Sequence, residues 1–249
     1  MKRSRRTTRL FFSNMPEAGQ IALNADEAHY LATVLRLRVG DAVTAFNGQG
    51  QEWACRVLGL TRRAGLLEVE SALEPIPESP LNLTLVQAVT KSDSMDTIIQ
   101  KATELGVSRI CPVITEFSVV RLNSERTQKR LAHWNRIARS ACEQSGRHQT
   151  PDIAAPTDLA EYFESAAQAQ AIITLDPRAP KSLTDLPKTM QSITAVVGPE
   201  GGFGPDDESI LAETKCIRVS LGQRILRAET AAIAICAIAQ HRWGDLREG

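Results

Sequence analysis

From Leu81 onward, short β-branched runs alternate with longer stretches of helical periodicity, and no other feature restricts the fold as much. "LNLTLVQAV", "RICPVIT", "AQAIITLD", "SITAVVG" and "KCIRVSLG" read as buried strands. Between them, "SDSMDTIIQKATELGV" carries Met95, Ile98, Ile99, Ala102 and Leu105 as an apolar stripe. Ser92 or Asp93 is expected to cap this helix, and Gly106 to close it. "NSERTQKRLAHWNRIARSACEQSG" is a long basic helix with Leu131, Trp134, Ile137, Ala138 and Ala141 on one side. "PDDESILAET" and "AETAAIAICAIAQHRWG" are the last two helices. The expectation is an open, mainly parallel α/β sheet.

The first 75 or so residues follow a different rule. "DEAHYLATVLRLRVGD" starts as a helix, with Asp26 a candidate cap. The following stretch to Leu73 alternates in strand fashion, with "NGQG" and "RRAG" as turns, which predicts a small barrel or curled sheet. His29 reads as a packing residue. "EPIPESP" holds three prolines in seven residues and reads as a linker. The division expected is a β domain over 1–74, a linker over 75–80 and an α/β domain over 81–249.

Net charge is zero, so whole-chain electrostatics neither requires nor excludes nucleic acid. Local charge differs: Lys2, Arg3, Arg5, Arg6 and Arg9 cluster at the start, and residues 121–147 hold seven Lys or Arg against two acids. A solvated helix face and a frayed terminus would explain both equally well. The five cysteines lack zinc spacing, so no metal site is expected. Cys111, Cys142, Cys216 and Cys236 read as small buried hydrophobes. No signal peptide or membrane span is apparent, which predicts a cytoplasmic protein with reduced thiols.

In such a sheet, ligands bind beyond the carboxyl ends of strands. Three strand ends are distinctive: "ITLDP" (173–177), "VVGPEGGFG" (196–204) and "VSLGQRILRAET" (219–230). The second lacks the lysine of a triphosphate loop and does not fit GxGxxG. That omission, and the absence of an acid pair at a strand end, argue against a nucleotide hydrolase. The third sets Arg224, Arg227 and Glu229 between a strand and an apolar helix, where polar groups are costly unless paired or used.

"QKATELGV", "EQSGR", "VGPEGGF" and "LGQRILRAETA", in this order, together with "RLFF" and "HYLATVLRLRVGD" near the start, closely resemble the RsmE family, and the resemblance covers the whole chain. It implies a PUA-like β domain followed by a SPOUT α/β domain with a C-terminal trefoil knot. It also implies S-adenosylmethionine-dependent methylation of N3 of one uridine near the decoding site of 16S ribosomal RNA, in the assembled 30S subunit, by a homodimer. The cofactor pocket it implies comprises Leu175, Val197, Gly198, Pro199, Glu200, Gly201, Gly202, Leu221, Gly222, Ile225, Leu226, Arg227, Thr230 and Ala231. Because the N3 proton must leave before attack, a base or a cation is needed. Glu200 and Glu229 are the candidate bases, and Arg227 and Arg9 the candidate cations, with Glu229 fixing Arg227 in the preferred arrangement.

RNA phosphates would meet Arg3, Arg5, Arg6, Arg9, Arg126, Lys129, Arg130, Arg136 and Arg139, with Lys91 and Arg147 at the site rim. Phe117, in "TEFSVV", stands where relatives often carry a polar or basic residue, which weakens an RNA role for that position. The almost uniformly apolar last helix fits either deep burial or a dimer contact. Two other functions remain open: a SPOUT RNA methyltransferase of other specificity, and an RNA-binding assembly factor with a vestigial cofactor pocket.

Overall fold

The computed structural model describes residues 8–13, 19–118, 124–165 and 171–246. The chain forms two compact units. One contains residues 1–77 and 142–150, the other residues 78–141 and 151–249.

The first unit is built from β1 (Thr8–Phe11), β2 (Gly19–Leu23), a short α1 (Ala25–His29) continued by a π-helical turn over Tyr30–Val34, β3 (Ala42–Phe46), β4 (Glu52–Leu60) and β5 (Gly65–Leu73). The strands lie in the order β1-β3-β4-β5-β2. Only β1–β3 is parallel. The period of two in β3, β4 and β5 turns Val43, Ala45, Trp53, Cys55, Val57, Leu67 and Val69 into one core, capped by Ala28 and Leu31. Register shifts at Ala54/Cys55 and Val57/Gly59 curl the sheet. Asn47 shapes the predicted "NGQG" turn by accepting from the Gln49 amide at 2.9 Å.

Local capping differs from the sequence expectation. Asn24, not Asp26, caps α1: its Oδ1 accepts from the amides of Asp26 and Glu27 at 3.0 and 2.9 Å, and the Glu27 carboxylate returns to the Asn24 amide. Starting two residues earlier frees Asp26 to face the helix dipole from the first turn. His29 is exposed rather than packed, with Nδ1 3.5 Å from Thr33 Oγ1.

Residues 142–150 complete this unit. Glu143 Oε1 accepts the Phe11 amide at 3.1 Å, and the Arg147 carbonyl accepts from Arg9 at 3.1 Å. Burial pushes the Glu143 carboxyl above its usual range, against the smaller opposing effects of the Phe11 amide and the Arg9 charge. The folded state then binds this proton more tightly than the unfolded chain. Stability is present below the ordinary carboxylate value and is lost as pH rises through the raised one. Glu143→Gln, which keeps the acceptor for Phe11, is therefore expected to raise the thermal midpoint by about 2 °C at pH 7 and to change nothing near pH 3. Thermal unfolding followed by circular dichroism at both pH values checks this.

The second unit runs β6 (Asn82–Ala88), α2 (Ser92–Glu104), β7 (Arg109–Ile114), α3 (Ser124–Ser145), β8 (Asp152–Ile153), β9 (Thr157–Asp158), α4 (Leu159–Ser165), β10 (Ala171–Leu175), β11 (Ser192–Val197), α5 (Pro205–Glu213), β12 (Ile217–Val219) and α6 (Ala228–Trp243). The last turn of α3 belongs to the first unit. The sheet order is β12-β10-β11-β6-β7-β8, with β9 also beside β7, and every pairing is parallel.

Both faces of this sheet are covered, as parallel sheets require. Leu83, Leu85, Ile110, Ile193, Ala195 and Val197 face the core shared with α2, α3 and α6. Val86, Cys111, Val113 and Val196 face α4 and α5. Lys91, not Ser92 or Asp93, is the N-cap of α2, and it supplies no side-chain hydrogen bond. Ser92 is already helical there. Cys55, not singled out from the sequence, is buried, while Cys216 is only half-buried. Burial still pushes the Cys216 and Cys236 thiols up to about 12, so neither is a thiolate at neutral pH.

One buried polar residue staples this unit. Gln240, on α6 and fully buried, accepts from Ser79 Oγ at 2.6 Å and donates to the Gly106 carbonyl at 3.0 Å. Gln240→Leu takes this partner from the half-buried Ser79 hydroxyl and Gly106 carbonyl and is expected to cost about 1–2 kcal/mol in urea denaturation.

Candidate active site

Three strand ends and one helix start converge in the second unit. Two cross-links fix their heights: Thr174 Oγ1 donates to the Val196 carbonyl at 3.1 Å, and the fully buried Gln87 donates to the Val197 carbonyl at 3.4 Å. Beyond β10, the Asp176 amide is held by the Val219 carbonyl at 3.0 Å. Beyond β11, Pro199–Gly202 forms a tight turn closed by the Gly202 amide and the Pro199 carbonyl at 3.0 Å. Gly202 sits at φ +77° and Gly222 at φ +111°, where a side chain would strain the backbone. Beyond β12, Ser220 Oγ holds the Gly222 amide at 3.0 Å. Arg227 is the N-cap of α6 and gives it no side-chain hydrogen bond.

These loops enclose a cavity of about 370 Å³. Leu175, Val197, Gly198, Pro199, Glu200, Gly202, Leu221, Gly222, Ile225, Leu226, Arg227 and Ala231 line it. The sequence-derived pocket also contained Gly201 and Thr230, which do not line it. Asp176, Pro177, Phe203, Arg224 and Ala228 line it as well. Asp176 and Pro177 lie in the "ITLDP" strand end, so the signal for them was already in view.

The glycine-rich loop is shaped by protein neighbours as much as by space for a ligand. A Cβ on Gly204 would overlap the Glu116 carboxylate and fall 2.8 Å from Glu116 Cβ. Asp207, buried in the first turn of α5, accepts the Gly204 amide at 3.0 Å and the Glu116 amide at 3.2 Å. Glu116 Oε2 in turn lies 3.4 Å from the Asp206 amide. A Cβ on Gly201 would touch Phe117 Cβ at 3.4 Å. Gly201 therefore faces the loop after β7, which corrects its placement in the pocket wall.

Arg227 and Glu200 line the cavity, while Glu229 does not. No ion pair joins Arg227 to Glu229 among the described residues. The two are N-cap and second helical residue, a spacing at which side chains do not face each other. Arg9 belongs to the first unit. It is ion-paired with Glu52 and lies over the Phe46 ring at 5.0 Å. Its charge is thus engaged by Glu52 and by the Phe46 ring within the first unit.

On α3, Arg126, Lys129, Arg136 and Arg139 are exposed and Arg130 half-buried. Lys129 is paired with Glu125 at 2.7 Å. Lys91 is exposed and Arg147 half-buried. Arg3, Arg5 and Arg6 lie outside the described residues. No group of three or more His, Cys, Asp or Glu could hold a metal, and no helix is long and apolar enough to cross a membrane, among the described residues.

Comparison with known proteins agrees with this geometry. The RNA methyltransferase domain family matches residues 77–240, and the RNA methyltransferase PUA domain family matches residues 23–70. The ribosomal RNA small subunit methyltransferase E of Rickettsia conorii is 34% identical over 92% of this chain and 92% of its own. That of Bacillus subtilis is 28% identical over 90% and 91%. The crystal structure of the enzyme of that name from Neisseria gonorrhoeae, bound to S-adenosylmethionine, superimposes with a TM-score of 0.90 at 35% identity, covering 97% of this chain and all of that one. A putative methyltransferase from Legionella pneumophila, in complex with the same cofactor, gives 0.91 at 32% identity with the same coverage. With its α/β methyltransferase domain, its PUA-like domain and its cavity at the strand ends, the chain belongs to the ribosomal RNA small subunit methyltransferase E family.

Proposed function

We propose that this chain methylates N3 of a uridine in the 16S RNA of the small ribosomal subunit, using S-adenosylmethionine held in the cavity of the second unit. The observation that carries the reading is the meeting of the "ITLDP", "GPEGGF" and "LGQRILRA" loops around one cavity. The cavity fits that cofactor in size and chemistry. Its volume lies within the range of small-molecule sites. Leu175, Val197, Leu221, Ile225, Leu226 and Ala231 offer apolar walls for adenine, and exposed backbone at Gly202 and Gly222 offers amides and carbonyls for its edge. Asp176, Glu200, Arg224 and Arg227 supply both signs of charge for a ligand carrying an ammonium, a carboxylate and a sulfonium.

When bound, the cofactor supplies an electrophilic methyl group with its own leaving group. The protein's task is alignment and deprotonation. Arg227 stabilises the negative charge that develops on the uracil when the N3 proton leaves, and Glu200, which shares the cavity, is the candidate acceptor of that proton. Glu229 serves the first turn of α6, where an acid is favoured by the helix dipole. The basic face of α3, with Lys91 and Arg147, contacts RNA phosphates, and the PUA-like domain over 1–74 adds to RNA binding, so affinity falls steeply with salt.

A homodimer belongs to this reading. It is supported by the side of α6 that bears Ile233, Ala234, Ala237 and Ile238, of which Ile238 is exposed. The trefoil knot, the linker over 75–80 between domains and a cytoplasmic location belong to it too, supported by the likeness to cofactor-bound relatives and by a ribosomal substrate. The test is incubation with labelled S-adenosylmethionine and small subunits lacking the modification, followed by mapping of the label. Label at N3 of a single 16S uridine is expected. Label on a ribose hydroxyl, on transfer RNA or nowhere would overturn the proposal.

A further inference from the structure

Asp176 differs from the other charged residues around the cavity. Glu200, Arg224 and Arg227 are exposed, whereas Asp176 is half-buried in the wall, just beyond the end of β10. Its main chain is already engaged: the amide donates to the Val219 carbonyl, and the carbonyl accepts the Ala179 amide, each at 3.0 Å. Pro177 follows it and restricts the Asp176 backbone further. What Asp176 can offer a ligand is therefore its carboxylate, on a backbone with little conformational freedom left to lose.

The two carboxylate oxygens are used unequally. Oδ1 accepts the Arg178 amide at 2.8 Å, which fixes the side chain in one orientation. Oδ2 lies 3.7 Å from Arg218 Nη1, close enough for an ion pair and too far for a hydrogen bond. Arg218 gives its N–H groups to Glu208 instead, with Nη1 3.3 Å from Oε1 and Nη2 paired with Oε2. Asp176 thus has a cation beside it, and an oxygen that no N–H or O–H caps among the described residues. That oxygen lacks hydrogen-bond donors rather than positive charge.

We infer that Asp176 accepts hydrogen bonds from the ribose diol of the cofactor, an inference that rests on the cofactor proposed above. Position supports it. Leu175 immediately precedes Asp176, and Val219, the strand partner of Leu175, leads into Leu221 and Gly222. The walls and backbone assigned to adenine therefore flank the carboxylate, and the ribose is the part of the cofactor bonded to adenine. Chemistry supports it too. Vicinal hydroxyls are neutral donors, which suit an acid whose charge Arg218 already balances in part. An acid beyond a strand end that holds a ribose hydroxyl is a recurrent arrangement in nucleotide-binding α/β sheets. The competing partner is the ammonium of the methionine moiety, and the experiment separates the two.

Calorimetry on the full chain, Asp176→Ala and Asp176→Asn uses three probes: S-adenosylhomocysteine, its 2′,3′-dideoxy form, and 5′-methylthioadenosine, which keeps the ribose and lacks the ammonium. Asp176→Ala is expected to weaken S-adenosylhomocysteine by about 10- to 100-fold. The loss for 5′-methylthioadenosine should match it within about threefold, and the dideoxy form should bind parent and variant within about twofold of each other. Asp176→Asn keeps an acceptor for the Arg178 amide and a neutral one for a hydroxyl. It should give the same pattern at smaller size, and it carries the test if the alanine variant does not fold. A loss that disappears with 5′-methylthioadenosine puts the carboxylate at the ammonium and overturns the ribose assignment. Equal losses with all three probes make Asp176 a brace for its own loop, and undiminished affinity in both variants gives it no part in binding; either result overturns the assignment too. A parent chain that binds none of the probes overturns the cofactor reading itself, and this inference with it.

Discussion

Replacing Arg227 with alanine is expected to slow methyl transfer by about 10²- to 10³-fold while cofactor affinity changes by less than about threefold, the signature of a group that acts on developing charge. Arg227 lines the cavity, and no acid pairs with it among the described residues. A guanidinium cannot lose its proton in a protein, so it cannot be the base. It can lower the energy of the uridinate. Its N-cap position on α6 adds the positive end of the helix to the same region. Single-turnover assays with saturating cofactor, alongside calorimetry, separate the two quantities. Normal turnover in Arg227→Ala would remove the assignment, and a loss confined to cofactor binding would recast Arg227 as a ligand for the carboxylate of the methionine moiety. Arg227→Lys should recover only part of the rate, since an ammonium presents a point charge rather than a planar fork.

Gly204→Ala is expected to destabilise the protein by about 1–3 kcal/mol through overpacking and to weaken cofactor binding by about tenfold, equivalent to ~1.4 kcal/mol. The added methyl would overlap the Glu116 carboxylate and approach Glu116 Cβ to 2.8 Å. Glu116 can move only by giving up the Asp206 amide and disturbing the turn that Asp207 anchors. The loop carrying Pro199 to Phe203 then shifts, and with it the cavity wall. Adding Glu116→Gly to Gly204→Ala removes the clash, so the pair should couple strongly in a double-mutant cycle. Additive effects would show that Gly204 is needed for some other reason. Urea denaturation and calorimetry on the four proteins provide the cycle.

These two cases mark what sequence could and could not convey. The parallel sheet was legible because β6, β10 and β11 are short apolar runs buried on both faces, each followed by a glycine, a proline or a polar turn. The cavity was legible for the same reason: its walls are the turns after β10, β11 and β12. Which glycines face the ligand was not legible. Gly201 and Gly204 are small because Phe117 and Glu116, more than eighty positions earlier, approach them closely, and such a contact leaves no local trace. Arg9 shows the converse. A basic residue in a basic cluster suggests RNA, but its ion pair joins it to Glu52 across forty-three positions. Capping was misplaced by two residues at Asp26, where Asn24 offers the same kind of side-chain oxygen, and by one at Ser92, where the helix starts from Lys91 with no side-chain cap to announce it.

The strand order also governs when the protein acquires its function. β6 pairs with β7 soon after both are made, but its other edge waits for β11, whose Ser192 pairs with Asn82. Until some 110 further residues have been added, that inner edge is an open row of amides and carbonyls, the kind of surface that recruits foreign strands. Nor can the cofactor help at that stage. Every residue lining its cavity lies between Leu175 and Ala231, so a ligand stabilises only a nearly finished chain. Synthesis that stops before β11 leaves that edge unprotected, and synthesis that stops before α6 leaves the cavity without its last wall, so completion of the chain and competence to bind arrive together.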